Sequence, residues 1–189
     1  MELTGAEIVC ESLLKEGADV IFGLPGGAVL PLYGALANYP KIRHILVRHE
    51  QAAAMAADGY ARATGKVGVC IATSGPGATN TLTGIAGAYA DNIPELLLMG
   101  QHPLNQLGKE VQQEVSASIF DTLVKWRGTM TTVEDIPAIM RRAFTALRSG
   151  SPGPVVLEMP GDVLMTEADD AVLEYEPCLL YTSPSPRAS

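Results

Sequence analysis

Residues Ile42–Gly65 read IRHILVRHEQAAAMAADGYARATG, and the change of pattern inside this stretch decides the fold. Ile42 to Val47 is a β-branched and aliphatic run with the length of one buried strand. Glu50 and Gln51 then open an alanine-rich segment, Ala52 to Ala63, of strongly helical composition, which Gly65 stops. Glu50 is therefore expected where a strand ends and a helix begins. In an open α/β sheet that carboxyl edge is where ligands bind. A semi-buried carboxylate held there is a candidate for proton chemistry.

The same alternation extends in both directions. Toward the N-terminus, Thr4 with Glu7 forms a capping-box pair, and Val9, Leu13 and Leu14 keep helical spacing as far as Gly17. A strand at Val20 to Gly23 leads into the loop Leu24-Pro25-Gly26-Gly27, and Ala28 to Ala37 returns to helical character with Pro31 in its first turn. Toward the C-terminus, a strand at Val67 to Ala72 is closed by Thr73-Ser74-Gly75-Pro76-Gly77. A small-residue helix follows at Ala78 to Asp91, in which Gly84 and Gly87 are expected to permit close packing on a sheet. Glu95 to Met99 is a further strand, ending at Gly100-Gln101-His102-Pro103.

Leu104 to Lys125 is polar and then amphipathic, which suggests a loop and a helix at Ser118 to Val124. Trp126 to Thr131 reads as a fifth strand. Ile136, Ile139, Met140, Ala143 and Leu147 make a helical stripe ending at Gly150, and Pro154 to Met159 is a sixth strand. Strands alternating with helices at this spacing imply parallel βαβ units with right-handed crossovers. The expected class is α/β, a three-layer sandwich around a six-stranded parallel sheet, occupying residues 1–165. After Asp162 the pattern decays. Glu167 to Glu176 is acidic, and Cys178 to Ser189 reads CLLYTSPSPRAS without periodicity. Residues 166–189 are thus expected to be an acidic linker and a disordered or foreign tail.

Composition bounds the function classes. Of 189 residues, 47% are hydrophobic and only 18% charged, enough apolar material for a substantial core. The net charge of -8 argues against nucleic acid or an anionic membrane surface as partner. No apolar run reaches the roughly 18 residues of a membrane span. Nor does the N-terminus show a basic region followed by an apolar core, so no signal peptide is expected. Cys10, Cys70 and Cys178 lie far apart, and Cys10 and Cys70 fall in apolar patterns. That usage suits buried thiols in a reducing cytoplasm and makes a disulfide framework or a metal site the less favoured reading.

Three glycine-rich loops, Leu24-Pro25-Gly26-Gly27, Ser74-Gly75-Pro76-Gly77 and the one opening at Gly100, end three of the expected strands. In a parallel sheet all three lie on the rim that carries Glu50, and glycine lets a backbone approach a ligand closely. A single such loop serves turn geometry alone; three converging on one carboxylate point to a binding site. Two phosphate-binding motifs fail. In Gly75-x-Gly77-x-x-Asn80 an asparagine stands where a dinucleotide fingerprint needs its third glycine, and Glu95 precedes its strand. No loop carries the lysine and Ser/Thr of a P-loop. His44 reads as a packing residue at a strand start, and His102 on the rim loop as a candidate ligand contact. The role of His49 stays open. Gln112, Gln113 and Glu114 suit a solvated face, and the methionines core filling.

Taken together, FGLPGGAVLPLYGAL (22–36), HILVRHEQAAAMAADGYARATGKVGVCIATSGPGATN (44–80), Asp91-Asn92-Ile93-Pro94, Gln113-Glu114 and SPGPVVLEMPGDV (151–163) resemble the N-terminal, pyrimidine-binding domain of thiamine-diphosphate-dependent enzymes. The likeness is greatest to the acetolactate synthase large-subunit group and runs from about Thr4 to Asp162. It implies that the Glu50 carboxyl group hydrogen-bonds the pyrimidine nitrogen of thiamine diphosphate and favours the imino tautomer. That tautomer removes the thiazolium proton so that the cofactor can attack a 2-keto acid such as pyruvate.

The resemblance also implies that Pro25 and Gly26 border the cofactor and that Gly27 and Ala28 face the substrate. Gly75, Pro76, Gly77 and Asn80 would form the wall beside Glu50, with Gln113 near the substrate and Lys125 beside the mouth of the site. It further implies Mg2+ for the diphosphate, FAD in the synthases, a diphosphate-binding domain from a second subunit, and a homodimer or tetramer serving branched-chain amino acid synthesis. No Gly-Asp-Gly diphosphate motif occurs in this sequence, so a fragment is expected. Gln112 stands where the synthase pattern has phenylalanine, and Gly161 where it often has lysine. Glyoxylate carboligase, sulfoacetaldehyde acetyltransferase and 2-keto acid decarboxylases share the scaffold and remain alternatives, as does a noncatalytic assembly domain. A flavin- or nicotinamide-binding domain is the weakest.

Overall fold

The computed structural model describes residues 2–109, 113–174 and 177. In chain order the elements are β1 (Glu2–Thr4), α1 (Gly5–Lys15), β2 (Val20–Gly23), a 3-10 turn (Gly27–Val29), α2 (Leu30–Leu36), β3 (Arg43–Leu46) and α3 (Glu50–Thr64). There follow β4 (Gly68–Ala72), α4 (Pro76–Asn80), α5 (Leu82–Ala90), β5 (Glu95–Gln101), β6 (Trp126–Thr129), α6 (Ile136–Arg148), β7 (Val155–Pro160), α7 (Gly161–Met165) and β8 (Glu167–Asp169). Six strands form one sheet in the order β3-β2-β4-β5-β7-β6, every neighbouring pair parallel. The α/β class and six-stranded parallel sheet expected from the sequence are what is found.

Strand alternation builds the two hydrophobic layers. Val69 and Ile71, Leu96 and Leu98, and Val155, Leu157 and Met159 face one way, onto buried residues of α1, α2, α6 and α7. Cys70 and Ala72, Leu97 and Met99, and Val156 face the other way, onto Ala53, Ala54 and Ala57 of α3 and Ile85 of α5. Central strands buried on both faces read as continuous apolar runs, which is how β4, β5 and β7 stood out in the sequence. The Thr4–Glu7 capping box is present: Glu7 N–H meets Thr4 Oγ1 at 3.3 Å, and Thr4 N–H meets Glu7 Oε2 at 2.8 Å. Gly65 ends α3 in the left-handed conformation at φ 71°.

Several expectations are corrected. The Ile42–Val47 strand is not a buried one: β3 is the sheet edge, and Leu46 keeps 64% of its exposure. The helix expected over Ala78–Asp91 is split at Thr81, whose hydroxyl donates to the Ala78 carbonyl at 2.7 Å. Ser118–Val124 does not form an α-helix; a 3-10 turn at Ala117–Phe120 takes its place. Gly84 packs α5 on α3 and not on the sheet, because a Cβ there would lie 2.5 Å from Ala54 Cβ, and Gly87 has open space around it. Finally, residues read as the start of an acidic linker form β8, which pairs antiparallel with β1 (Leu3 opposite Ala168). A 3-10 turn at Asp170–Leu173 follows it. The tail expected at 178–189 lies outside the described residues.

Candidate functional site

Parallel strands place their carboxyl ends on one rim, and there β2, β3, β4 and β5 deliver the glycine loops and Glu50 together. After β3 the chain turns at Val47–Arg48 and enters α3 through His49, whose extended backbone and Nδ1 cap the helix by accepting from Gln51 N–H at 3.2 Å. His49 thus acts as the N-cap of α3. Glu50 is the first residue of α3, at the positive end of the helix dipole, where a carboxylate is favoured. It keeps only 7% of its exposure. Asn80 Nδ2, at the end of α4, donates to Glu50 Oε2 at 2.9 Å. Oε1 lies toward Gly77, where a Cβ would come within 3.3 Å of it.

Thr73, at the end of β4, is the wedge between two loops. Its hydroxyl accepts from Ala28 N–H at 3.2 Å. A Cβ at Gly26 or at Gly77 would fall 2.6 Å from Thr73 side-chain carbons, so only glycine lets both loops close on it. Gly75 is bound by conformation as well as space. Its φ of 62° and ψ of -125° lie where L side chains rarely go, and a Cβ would sit 2.3 Å from the Gln113 carbonyl oxygen. Gln113 itself adopts φ 64°. Pro76 starts α4 at a position that needs no N–H.

Thr73 and Ser74 also border a cleft of about 530 Å³, whose lining includes Gly27, Ala28, Gln101, His102, Gln113 and Gly161 and not Glu50. The structure thus gathers Gly26, Gly75, Gly77 and Asn80 about Glu50 and Thr73, and Gly27, Ala28 and Gln113 about the cleft. His102 joins the cleft as well. Pro25 is exposed on the same loop, and Gln112 lies outside the described residues. Lys125 is not brought to the site. It stands at the amino end of β6, on the opposite rim, with Nζ donating to the carbonyls of Ala146 and Ser149 at 2.5 and 2.7 Å. Those carbonyls end α6 and attract a cation. His44 is a packing residue: Nε2 meets Tyr33 OH at 3.1 Å, and burial lowers its pKa.

Sequence reading passed over Thr73, Gln101 and Glu158. The signal was present in each case as a polar residue at the carboxyl end of an otherwise apolar strand. Among the described residues no group of three His, Cys, Asp or Glu is arranged to hold a metal ion, and no helix is long and apolar enough to cross a membrane.

Residues 3–120 match the family described as thiamine pyrophosphate enzyme, N-terminal TPP binding domain. The chain belongs to that family. It is 50% identical over 163 residues to the acetolactate synthase isozyme 3 large subunit of Escherichia coli, covering 86% of this chain and 28% of that protein. A probable acetolactate synthase large subunit of Methanocaldococcus jannaschii is 49% identical over 168 residues, 88% of this chain and 28% of the relative. The acetolactate synthase large subunit of Lactococcus lactis is 45% identical over 168 residues, 88% and 29% respectively. The chain therefore spans well under a third of the length of these relatives. The resemblance drawn from the motifs is to the same family that residues 3–120 match.

Proposed function

We propose that this chain supplies the pyrimidine-binding, proton-handling half of a thiamine-diphosphate enzyme acting on 2-keto acids such as pyruvate, with decarboxylation followed by carboligation of the acetolactate synthase type. The observation that carries the reading is Glu50: a carboxylate on the sheet rim, 7% exposed, fixed through one oxygen by Asn80 and bordered at the other by Gly77. Pro25, Gly26, Gly75, Pro76, Gly77 and Asn80 then make the wall against which the pyrimidine lies. An aromatic ring fits a surface kept free of side chains, and a carboxylate with one oxygen committed to Asn80 has the other to share a proton with a ring nitrogen.

When bound, the cofactor supplies the electron sink for a carbanion. The chain's own part is to hold a proton at Glu50 Oε1, to keep that carboxylate oriented through Asn80, and to exclude water from it. Gly27, Ala28, His102 and Gln113 bound the cleft where the 2-keto acid sits. The diphosphate, through Mg2+, belongs to a domain outside these residues, contributed by a second subunit of a homodimer or tetramer, and FAD, where used, to a further domain. Support for a covered face comes from the outer side of the α3–α5 pair. There Ala52, Met55, Gly59, Thr83, Gly87 and Ala90 are exposed and uncharged beside Glu50. The buried free thiols Cys10 and Cys70 suit the cytoplasm.

Gly161 favours a second reading. It lines the cleft where the synthase pattern often carries a lysine, and a cleft without that cation suits a sister carboligase or decarboxylase. Product analysis separates the two. A full-length enzyme carrying this domain, given pyruvate with thiamine diphosphate and Mg2+, is expected to form acetolactate. Acetaldehyde as sole product would move the assignment to the sister reaction, and failure to consume any 2-keto acid would overturn both.

A further inference from the structure

Glu158, near the carboxyl end of β7, points into the α3 layer, where a carboxylate is costly unless its oxygens are satisfied. It keeps 7% of its exposure, and three donors converge on it from three separate segments. Ala117 N–H reaches Oε1 at 2.9 Å, Gln101 Nε2 reaches Oε1 at 3.2 Å, and Thr129 Oγ1 reaches Oε2 at 2.6 Å. Gln101 Nε2 also donates to Val115 O at 2.9 Å, and Gln101 Oε1 accepts from His102 N–H at 3.0 Å. Every polar atom of the Gln101 amide is thus engaged, and its orientation is fixed.

These bonds hold residues 115–117 onto the ends of β5, β6 and β7. Four residues upstream of Ala117 is Gln113, whose backbone rests against Gly75 and whose residue lines the cleft. One end of the 113–117 segment is therefore set by Gly75, next to the Glu50 wall, and the other by Glu158. We propose that Glu158 is a positioning residue for the substrate side of the site: through Ala117 and Gln101 it sets where Gln113 stands relative to the cleft, without touching substrate or cofactor itself. This rests on the reading of the cleft as the 2-keto acid site.

The chemistry of the three donors says which substitution the lock tolerates. Glutamine keeps one oxygen for Ala117 and Gln101, and its amide donates to the Thr129 hydroxyl, which can accept as well as donate. Leucine offers nothing to any of the three. A role as positioner is therefore kept by Glu158→Gln and lost by Glu158→Leu, whereas a role through negative charge is lost in both.

Two readouts test it. In the chain itself, amide hydrogen exchange at Ala117 is expected to speed at least about tenfold in Glu158→Leu, the scale of a lost hydrogen bond to a charged group, and to stay near wild type in Glu158→Gln. In the full-length holoenzyme, Glu158→Leu is expected to raise KM for the 2-keto acid on the order of tenfold while proton exchange at C2 of the bound cofactor stays unchanged. Glu158→Gln is expected to restore KM. An unchanged KM in Glu158→Leu, or a Glu158→Gln variant as impaired as Glu158→Leu, overturns the proposal. Where Glu158→Leu does not fold, Thr129→Val frees Oε2 so that the carboxylate can swing off Ala117; Ala117 exchange and KM are expected to rise together, and faster exchange with an unchanged KM overturns it equally. The C2 exchange reports on Glu50 and so tests the functional reading separately.

Discussion

Gly75→Ala separates geometry from composition at the heart of the site. Gly75 has φ 62° and ψ -125°, and an L residue held in so sparsely populated a region costs about 1–3 kcal/mol. The added Cβ would also lie 2.3 Å from a backbone oxygen, that of Gln113, more than about 1 Å short of an ordinary van der Waals separation. Forcing a methyl into such a contact costs typically about 1–3 kcal/mol. The two add to a loss of about 2–6 kcal/mol, a large part of a domain's stability of roughly 5–15 kcal/mol. The assay is urea unfolding of the chain followed by circular dichroism. Gly59→Ala is the control, since that position lies inside α3 with nothing within 4 Å of the new Cβ. It is expected to stabilise by about 0.4–1 kcal/mol. A Gly75→Ala chain losing less than about 1 kcal/mol would show that neither the backbone strain nor the Gln113 contact constrains this turn.

Glu95 is fully buried, with Cys70 Sγ donating to Oε1 at 3.4 Å and no hydrogen-bond partner for Oε2 among the described residues. Burial, with a smaller push from Asp58 and against the Cys70 hydrogen bond, raises its pKa well above the usual carboxylate range. The folded state therefore holds a proton that the unfolded chain releases, so stability falls as pH rises above the ordinary glutamate value, by up to about tenfold in the folding constant per pH unit. Above the raised pKa it levels off. Glu95→Gln is expected to remove that slope in urea unfolding between pH 5 and 8, and parallel profiles for the two chains would refute it. Arg148 donates from Nη1 to Glu16 Oε2 at 2.9 Å and from Nη2 to Glu16 O at 2.7 Å, and the Glu16 side chain is fully buried. Arg148→Ala is expected to destabilise the chain by about 3–5 kcal/mol in the same assay, and a loss below about 1 kcal/mol would contradict the pairing.

Much of the rim was legible because the sequence states it twice, as a period and as a break. β4, β5 and β7 announce themselves as apolar runs, and each is followed by glycine or a polar residue where the rim begins. Glu50 was found because it stands at the change from strand to helix. What the sequence hid depends on neighbours distant along the chain. That β3 lies at the edge follows from strand order, which no local pattern records. The helix break at Thr81 comes from one hydroxyl turning back on Ala78 inside an otherwise helical composition. Lys125 was carried to the site by resemblance, yet the direction of β6 puts it on the other rim. Thr73 and Glu158 look like ordinary strand-end residues until the fold brings Gly26 and Gly77, or Ala117, Gln101 and Thr129, against them. The β1–β8 pair joins two three-residue strands some 160 positions apart, too short to carry a period.

The most direct test of the central claim is proton exchange at C2 of thiamine diphosphate bound to a full-length enzyme carrying this domain, comparing wild type with Glu50→Gln. Glutamine keeps the size of the side chain and a hydrogen bond to Asn80 but cannot share a proton as a carboxyl group does. General acid–base contributions of this kind are on the order of 10²–10⁴-fold, so exchange is expected to slow by at least about a hundredfold in a folded, cofactor-loaded variant, with turnover of pyruvate falling in step. Exchange at the wild-type rate in that variant would contradict the account and remove Glu50 from the proton chemistry.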